Sequence, residues 1–284
     1  MKKQSAFGIF LKKFARHKIA MVAVFIILLE VLAVLLLPLF MDLKPNTSDW
    51  YAIAAAPSAT HLLGTDEIGR DMLARLVYGG RISLLVGLLS TMMSTVIGLP
   101  LGVIAGYFQG KIGSFIMRLV DMFMSFPSMV LTLVLVSVLP KSVGTIALVI
   151  GILGWTRPCK LLYGSVMSTR SKEYVEAAVA MGASPLHTII HYILPNSLSP
   201  LWVSIAFSFS GAIIQESSLS FLGAGIQAPD ASWGNIINAA QKLDILTGKL
   251  WMWVPACLIL LITVVSINLV GEGLRDALDP KMKV

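Results

Sequence analysis

Charge is the scarcest feature of this sequence. Only 13% of its 284 residues are Asp, Glu, Lys or Arg, whereas 56% are hydrophobic, and the mean hydropathy is +0.83. A soluble domain carries about 25% charged residues. A surface this poor in charge excludes an aqueous globular protein and makes lipid the solvent. Acidic residues are the rarer sign, 15 against 22 basic, for a formal net charge of +7. In a soluble chain such a balance suits nucleic acid, but no DNA- or RNA-binding motif accompanies it, and membrane proteins hold excess Lys and Arg in cytoplasmic loops. Cysteine is nearly absent. Cys159 and Cys257 fall near opposite ends of the membrane on the topology below, which excludes a disulfide on distance. A phosphate-cradling loop is missing too. Gly110-Lys111 comes nearest, but Ala105 stands at the first-glycine position and Ile112 follows the lysine. The chain therefore has no ATPase motif, and any ATP that drives it is hydrolysed elsewhere. No nucleophile–base set supports an intramembrane hydrolase.

What is present is a series of apolar runs. Six of them, near residues 20–40, 82–108, 114–139, 143–162, 197–222 and 250–270, approach the length that crosses a bilayer. The expected fold is an all-α integral membrane bundle of about six transmembrane helices. The first run is too long for a signal-peptide core, and the small residues that follow it lie too far away for cleavage. It reads as an uncleaved span. With the N-terminus inside, 15 of the 22 basic residues fall on the cytoplasmic side, so both termini are expected there. The chain divides into a cytoplasmic segment 1–19, a first span 20–40, an external loop 41–81, a core 82–275 with a cytoplasmic loop 163–196, and a cytoplasmic tail 276–284. A further external loop covers 223–249. No internal repeat or separate soluble domain interrupts this order.

The cytoplasmic loop carries the clearest local pattern. Ser171 can cap a first short helix, Gly182 can end it in the left-handed conformation, Ser184 and Pro185 can start a second, and Pro195 stops it. Ala177 and Ala178 leave a face without bulk. A helix pair of this size outside the membrane has no core of its own and needs a partner.

Glu176-Ala177-Ala178, then Gly182, then Leu194-Pro195, resembles the EAA loop of bacterial ABC importer permeases, although Tyr192 stands where that family expects Ile. The stretches His61 to Leu84, Glu216 to Gly234 and Leu274 to Pro280 are similar to the C-type subunit of the dipeptide/oligopeptide/nickel permease family. The resemblance implies a type I importer permease in a bacterial cytoplasmic membrane, moving short peptides by alternating access. It implies a homologous second permease, two ATPase subunits or domains and an external substrate-binding protein as partners. ATP and Mg would sit on those ATPases, and no cofactor or metal on this chain. It assigns ATPase coupling to Glu176, Ala177, Ala178, Gly182, Ser184 and Pro185. Nickel or a nickel chelate is the alternative cargo.

Other residues leave alternatives open. Asp121 and Glu216 lie within spans, as pathway or gate groups or as hydrogen-bonding groups of the bundle; Glu30 suits helix pairing equally well. Proton-coupled secondary transport through these three acids is the rival of another class, and a membrane scaffold is a further one. Ser204, Ser208 and Gly211 form a small polar stripe, either a wet channel wall or a tight helix contact. Gly98, Gly102 and Gly106 allow close packing, more readily inside the chain than with a partner. His187 and His191 have the spacing of a metal pair, but on a docking helix they read as ordinary solvated imidazoles. The charges from Asp66 to Arg81 form either a solvated ion network or a substrate contact.

Overall fold

The computed structural model of the chain describes residues 6–278. Lys2, Lys3, Lys281, Lys283 and the Asp279-Pro280 ending lie outside the described residues. α1 (Ala6–Arg16) leads to α2 (Lys18–Phe40), whose first turn is capped by His17: Nδ1 accepts from the Ala20 amide at 3.2 Å. A loop then reaches α3 (Met72–Phe108), where Asp71 accepts from the Ala74 amide at 2.8 Å. This cap, rather than hydropathy, sets the start of the helix, so it begins at Met72 and not at 82. Arg75 and Arg81, expected in the external loop, lie on it. At 1.5 Å per residue α3 is about 55 Å long and outreaches the ~30 Å apolar layer.

The expected span 114–139 is broken. α4 (Gly110–Met124) and α5 (Ser128–Val138) meet at 80°. Pro127 lacks an amide hydrogen and disfavours helical geometry in Phe126 before it. α6 (Val143–Gly154) and α7 (Thr156–Arg170) run on through Trp155 as one span, Val143–Arg170. That span outlasts the expected end at 162 and takes in residues up to Arg170; Arg157 and Lys160, which the charge count had placed in the cytoplasm although the expected run already contained them, lie well inside it. After α8 (Glu173–Ala180), α9 (Pro185–Thr188), a π-helical turn (Ile189–Ile193) and α10 (Leu194–Ser197), the chain bends by 61° into α11 (Ser199–Phe221). α12 (Trp233–Asn238) and α13 (Leu243–Gly248) precede α14 (Val254–Leu278). Among the described residues four helices can span a membrane alone, and up to six spans result if each bent pair is one.

α3 is the central column, packed by α6, α7 and α11; α14 lies between α11 and α2. Gly98, Gly102 and Gly106 face α7, so the small-residue face is used within the chain. A Cβ at Gly102 would lie 2.5 Å from the Cys159 carbonyl oxygen, and one at Gly98 2.6 Å from that of Trp155. α2 is apolar all round but buries only Ala20, Ala23, Glu30 and Val34, a stripe that lies on α14 and, at Val34, on Gly80 of α3. Its remaining surface is exposed Leu, Val and Phe, as on a lipid-facing helix.

The two ends differ. The head comprises residues 41–71 and 222–253, and the foot residues 171–198. In the head, Thr65 is fully buried, accepts from the Ala55 amide at 2.9 Å and donates to the Ala52 carbonyl. Lys242 reaches Glu67 at 2.7 Å and joins the two head segments.

Candidate functional site

The inner faces of α3, α11, the α6–α7 junction and the α4–α5 elbow enclose a partly open groove of about 390 Å³. One wall is hydroxyl and amide: Ser90, Thr91 and Ser94 from α3, Thr156 from α7, and Ser208, Gln215 and Ser218 from α11. The elbow supplies an apolar wall of Phe123, Met124, Phe126 and Met129. Gln215 is held by a 2.7 Å bond from its Nε2 to Thr132 Oγ1 on α5. Ser90, Thr156 and Ser208 each lie near the middle of their span, so the groove is at mid-depth in the bundle.

Of the residues singled out from the sequence, Ser208 and Gly211 line this groove; Ser204, one turn earlier on α11, does not. Asp121 does not either. It is exposed on α4, with Oδ1 3.1 Å from Lys160 Nζ on α7. Glu216 faces away from the groove and is fully buried. Ser83 Oγ donates to its Oε2 at 2.8 Å, and Ser220 Oγ to its Oε1 at 2.7 Å. The same two hydroxyls accept from the Trp233 amide at 3.2 Å and the Ile226 amide at 3.0 Å. Glu216 thus ties α3, α11 and the start of α12 together. Glu30 accepts from Thr263 Oγ1 at 2.9 Å and fastens α2 to α14. Sequence reasoning missed Thr91, Ser94, Thr156, Arg157 and Gln215. The cluster of hydroxyls at 90–95 in an otherwise apolar run was the available signal.

The foot follows the expected plan with two corrections. Ser171 does not cap α8; its hydroxyl donates to the Ser168 carbonyl at 3.1 Å and closes α7, and α8 starts after Lys172 without a side-chain cap. Pro195 does not stop the helix. The backbone widens into the π turn ahead of it, where the Leu194 amide reaches the Ile189 carbonyl, and helix continues to Ser197. This widening accommodates a proline that cannot donate. Gly182 does take positive φ, +89°, and Ser184 accepts from the His187 amide at 3.4 Å with Pro185 in the first turn of α9. Val175 and Ala178 turn inward, Val175 onto Val103, Tyr107 and Val166. Glu176, Ala177, Met181, Leu186 and Ile190 turn outward. The imidazoles of His187 and His191 stack at 4.2 Å. Among the described residues no group of three His, Cys, Asp or Glu side chains could hold a metal ion.

In the head, the expected charge network is partly formed. Asp66 Oδ2 holds Arg70 Nε at 2.7 Å and Arg75 Nε at 3.7 Å. Arg81 leaves it and donates to the carbonyls of Val34 and Leu35 at the end of α2. His61 bridges two carboxylates, Asp71 at 2.9 Å and Asp49 at 3.5 Å. The hydrogen bond to Asp71 raises its pKa above 6.5; desolvation opposes it, and the weaker bond to Asp49 and the two carboxylate charges add to the rise. Glu67 likewise raises that of Lys242.

A polar groove at mid-depth and an unpartnered helix pair at one end are features of membrane transporters driven from outside the chain. The family model for the inner membrane component of binding-protein-dependent transport systems matches residues 98–284. The chain belongs to this family. A second model, for the N-terminal TM domain of oligopeptide transport permease C, matches residues 5–57. The permease is 36% identical over 280 residues to the di/tripeptide transport system permease protein DppC of Pseudomonas aeruginosa, covering 96% of this chain and 92% of that one. It is 35% identical to the oligopeptide transport system permease protein OppC of Haemophilus influenzae, covering 95% and 87%. Among solved structures, the inward-facing MetNI methionine ABC transporter aligns with a TM-score of 0.62 at 18% identity, over 72% of this chain and 97% of that one. The permease therefore has the type I ABC importer fold and is an inner membrane component.

Proposed function

We propose that this permease moves di- or oligopeptides through the groove as one half of an ATP-driven importer. The observation that carries the reading is the 36% identity, over nearly the whole chain, to a di/tripeptide permease. The groove suits that cargo. Seryl, threonyl and glutaminyl groups match the amide and carbonyl groups of any peptide backbone, and the apolar elbow tolerates varied side chains. Substrate sites of transporters lie near the bilayer midplane. A homologous second permease closes the open side of the groove. An external substrate-binding protein delivers cargo at the head. Two ATPase subunits hold ATP and Mg at the foot, and one of them receives Glu176, Ala177, Ala178, Gly182, Ser184 and Pro185. Both termini are then cytoplasmic. ATP binding draws the two feet together and opens the groove outward; hydrolysis resets it. This chain does no chemistry of its own. The position of the three intramembrane acids favours ATP over protons as the driving force, since Glu30, Asp121 and Glu216 all lie off the groove.

The test is uptake by the complete transporter in proteoliposomes, offered dipeptides, tripeptides, hexapeptides and nickel in turn. ATP-dependent accumulation of peptide is expected. Accumulation of nickel alone, or peptide uptake driven by a pH gradient without ATP, would overturn the reading.

A further inference from the structure

The groove wall contains one charged side chain, Arg157, among the described residues. It stands half-way along the span Val143–Arg170, at the depth of Ser90 and Ser208. A cation at mid-membrane is expensive unless it meets water or a counter-charge. No acidic side chain lines the groove. Asp121, the acid on the neighbouring α4, is engaged by Lys160 at 3.1 Å. Glu216 is closed off among serine hydroxyls behind α11. The guanidinium is exposed and has no hydrogen-bond or ion-pair partner among the described residues. The chain thus carries an uncompensated cation to the middle of its pathway.

We infer that Arg157 receives a carboxylate of the passing cargo, foremost the C-terminal carboxylate of a peptide, and so selects for acids over amides and cations. The inference rests on the peptide reading above. The chemistry is specific. A guanidinium presents paired donors that match the two oxygens of a carboxylate. Thr156 places a hydroxyl beside it, whereas the α3 hydroxyls Ser90, Thr91 and Ser94 already donate to the carbonyls of Ala147, Gly87 and Thr91, so the guanidinium is the strong donor of this wall. The ammonium end of a peptide would be repelled, which orients the cargo in the groove. The groove is open on one side, so an acidic residue of the second permease is the competing counter-ion.

The experiment uses the whole transporter in proteoliposomes, with the binding protein saturated by each cargo. Uptake of Ala-Ala is compared with that of Ala-Ala amide for wild type, R157Q and R157K. We expect R157Q to slow Ala-Ala uptake about tenfold, the scale of one lost charge-assisted hydrogen bond. We expect it to raise amide uptake, because the charge that repels the cationic amide is gone, so that the preference for acid over amide collapses, and R157K to keep most of the acid uptake. Equal Ala-Ala uptake by R157Q and wild type would overturn this inference alone. Equal loss for acid and amide, with dissociation of the second permease during purification, would assign Arg157 to the subunit interface instead. Failure of the wild type to accumulate any peptide would overturn the peptide reading and this inference with it.

Discussion

At the head end of α11, Glu216 is sealed among hydroxyls of its own chain; at the foot, Glu176 lies exposed on α8 with no partner among the described residues. Both are carboxylates in short motifs, and both looked functional from the sequence. The fold separates them. The head pairs several of its charged groups internally: Asp66 with Arg70 and Arg75, His61 with Asp49 and Asp71, Lys242 with Glu67. The foot buries Val175 and Ala178 but leaves Met181, Leu186 and Ile190 in the open beside Glu176. Polar groups that are internally satisfied resist change and hold shape, whereas groups left unpaired at a surface remain free to bind.

Four variants or conditions test this contrast, in order of their expected effect on the fold. The largest belongs to Glu216→Ala. It removes the acceptor of three buried hydroxyls, those of Ser83, Ser217 and Ser220, and opens a cavity, so we expect a loss of about 3 kcal/mol. Thermal unfolding in detergent, followed by tryptophan fluorescence, should show a lower Tm, with Glu216→Gln in between. An unchanged Tm would mean that the serine cage does not hold the head.

Gly182→Val comes next. The position has φ +89° and open space around it, so the effect is one of backbone conformation alone, on the order of 1–2 kcal/mol. The strain should melt the turn between α8 and α9 rather than the bundle. Hydrogen exchange should rise across residues 173–190 while the Tm stays within a degree or two, and peptide uptake should fail. Normal exchange in that segment would refute the turn's role.

Glu176→Lys should leave stability within about 0.5 kcal/mol, as for an exposed side chain away from any network. Across a docking interface, the reversed charge should weaken retention of the ATPase and cut uptake at least tenfold. Glu173→Lys, in the same first turn of α8, is the control. Equal mild effects at both positions would remove Glu176 from docking and erase the contrast with Glu216.

The smallest effect is one of pH. The pKa of His61 is raised in the folded head by Asp71 and then Asp49. A raised histidine contributes stability that is fully present below its unfolded pKa, about 6.5, and is lost as pH rises through the folded value. Protection of residues 49–71 in hydrogen exchange, corrected for intrinsic rates, should therefore fall as pH rises above about 6.5. His61→Gln should flatten the profile. A wild-type profile already flat would show that the two carboxylates do not act on His61 as a pair.

Several of these features were legible without coordinates because they are local. Gly182 followed by Ser184-Pro185 specifies a helix stop and start through backbone preferences that span only a few residues. The lengths of the apolar runs imply spans, since hydropathy adds along the chain whatever the neighbours. Local rules also misled. Ser171 was available as a cap but found the Ser168 carbonyl first, and Pro195 was absorbed by a π turn.

By itself the sequence determined the solvent, the approximate number of crossings, the EAA-type loop and the absence of an ATPase motif, all of them sums or short patterns. Only the tertiary structure decided which face of each helix meets water, lipid or protein. Ser83 and Glu216 are 133 residues apart in the chain, and Glu30 and Thr263 are 233 apart. No window of sequence contains both partners. For the same reason Ser208 belongs to the groove and Ser204 does not, and Arg157, counted at first as a cytoplasmic charge, stands in the groove wall. A charge's role within a membrane depends on its depth and on the groups opposite it, and both are set by packing between helices that the chain order keeps apart.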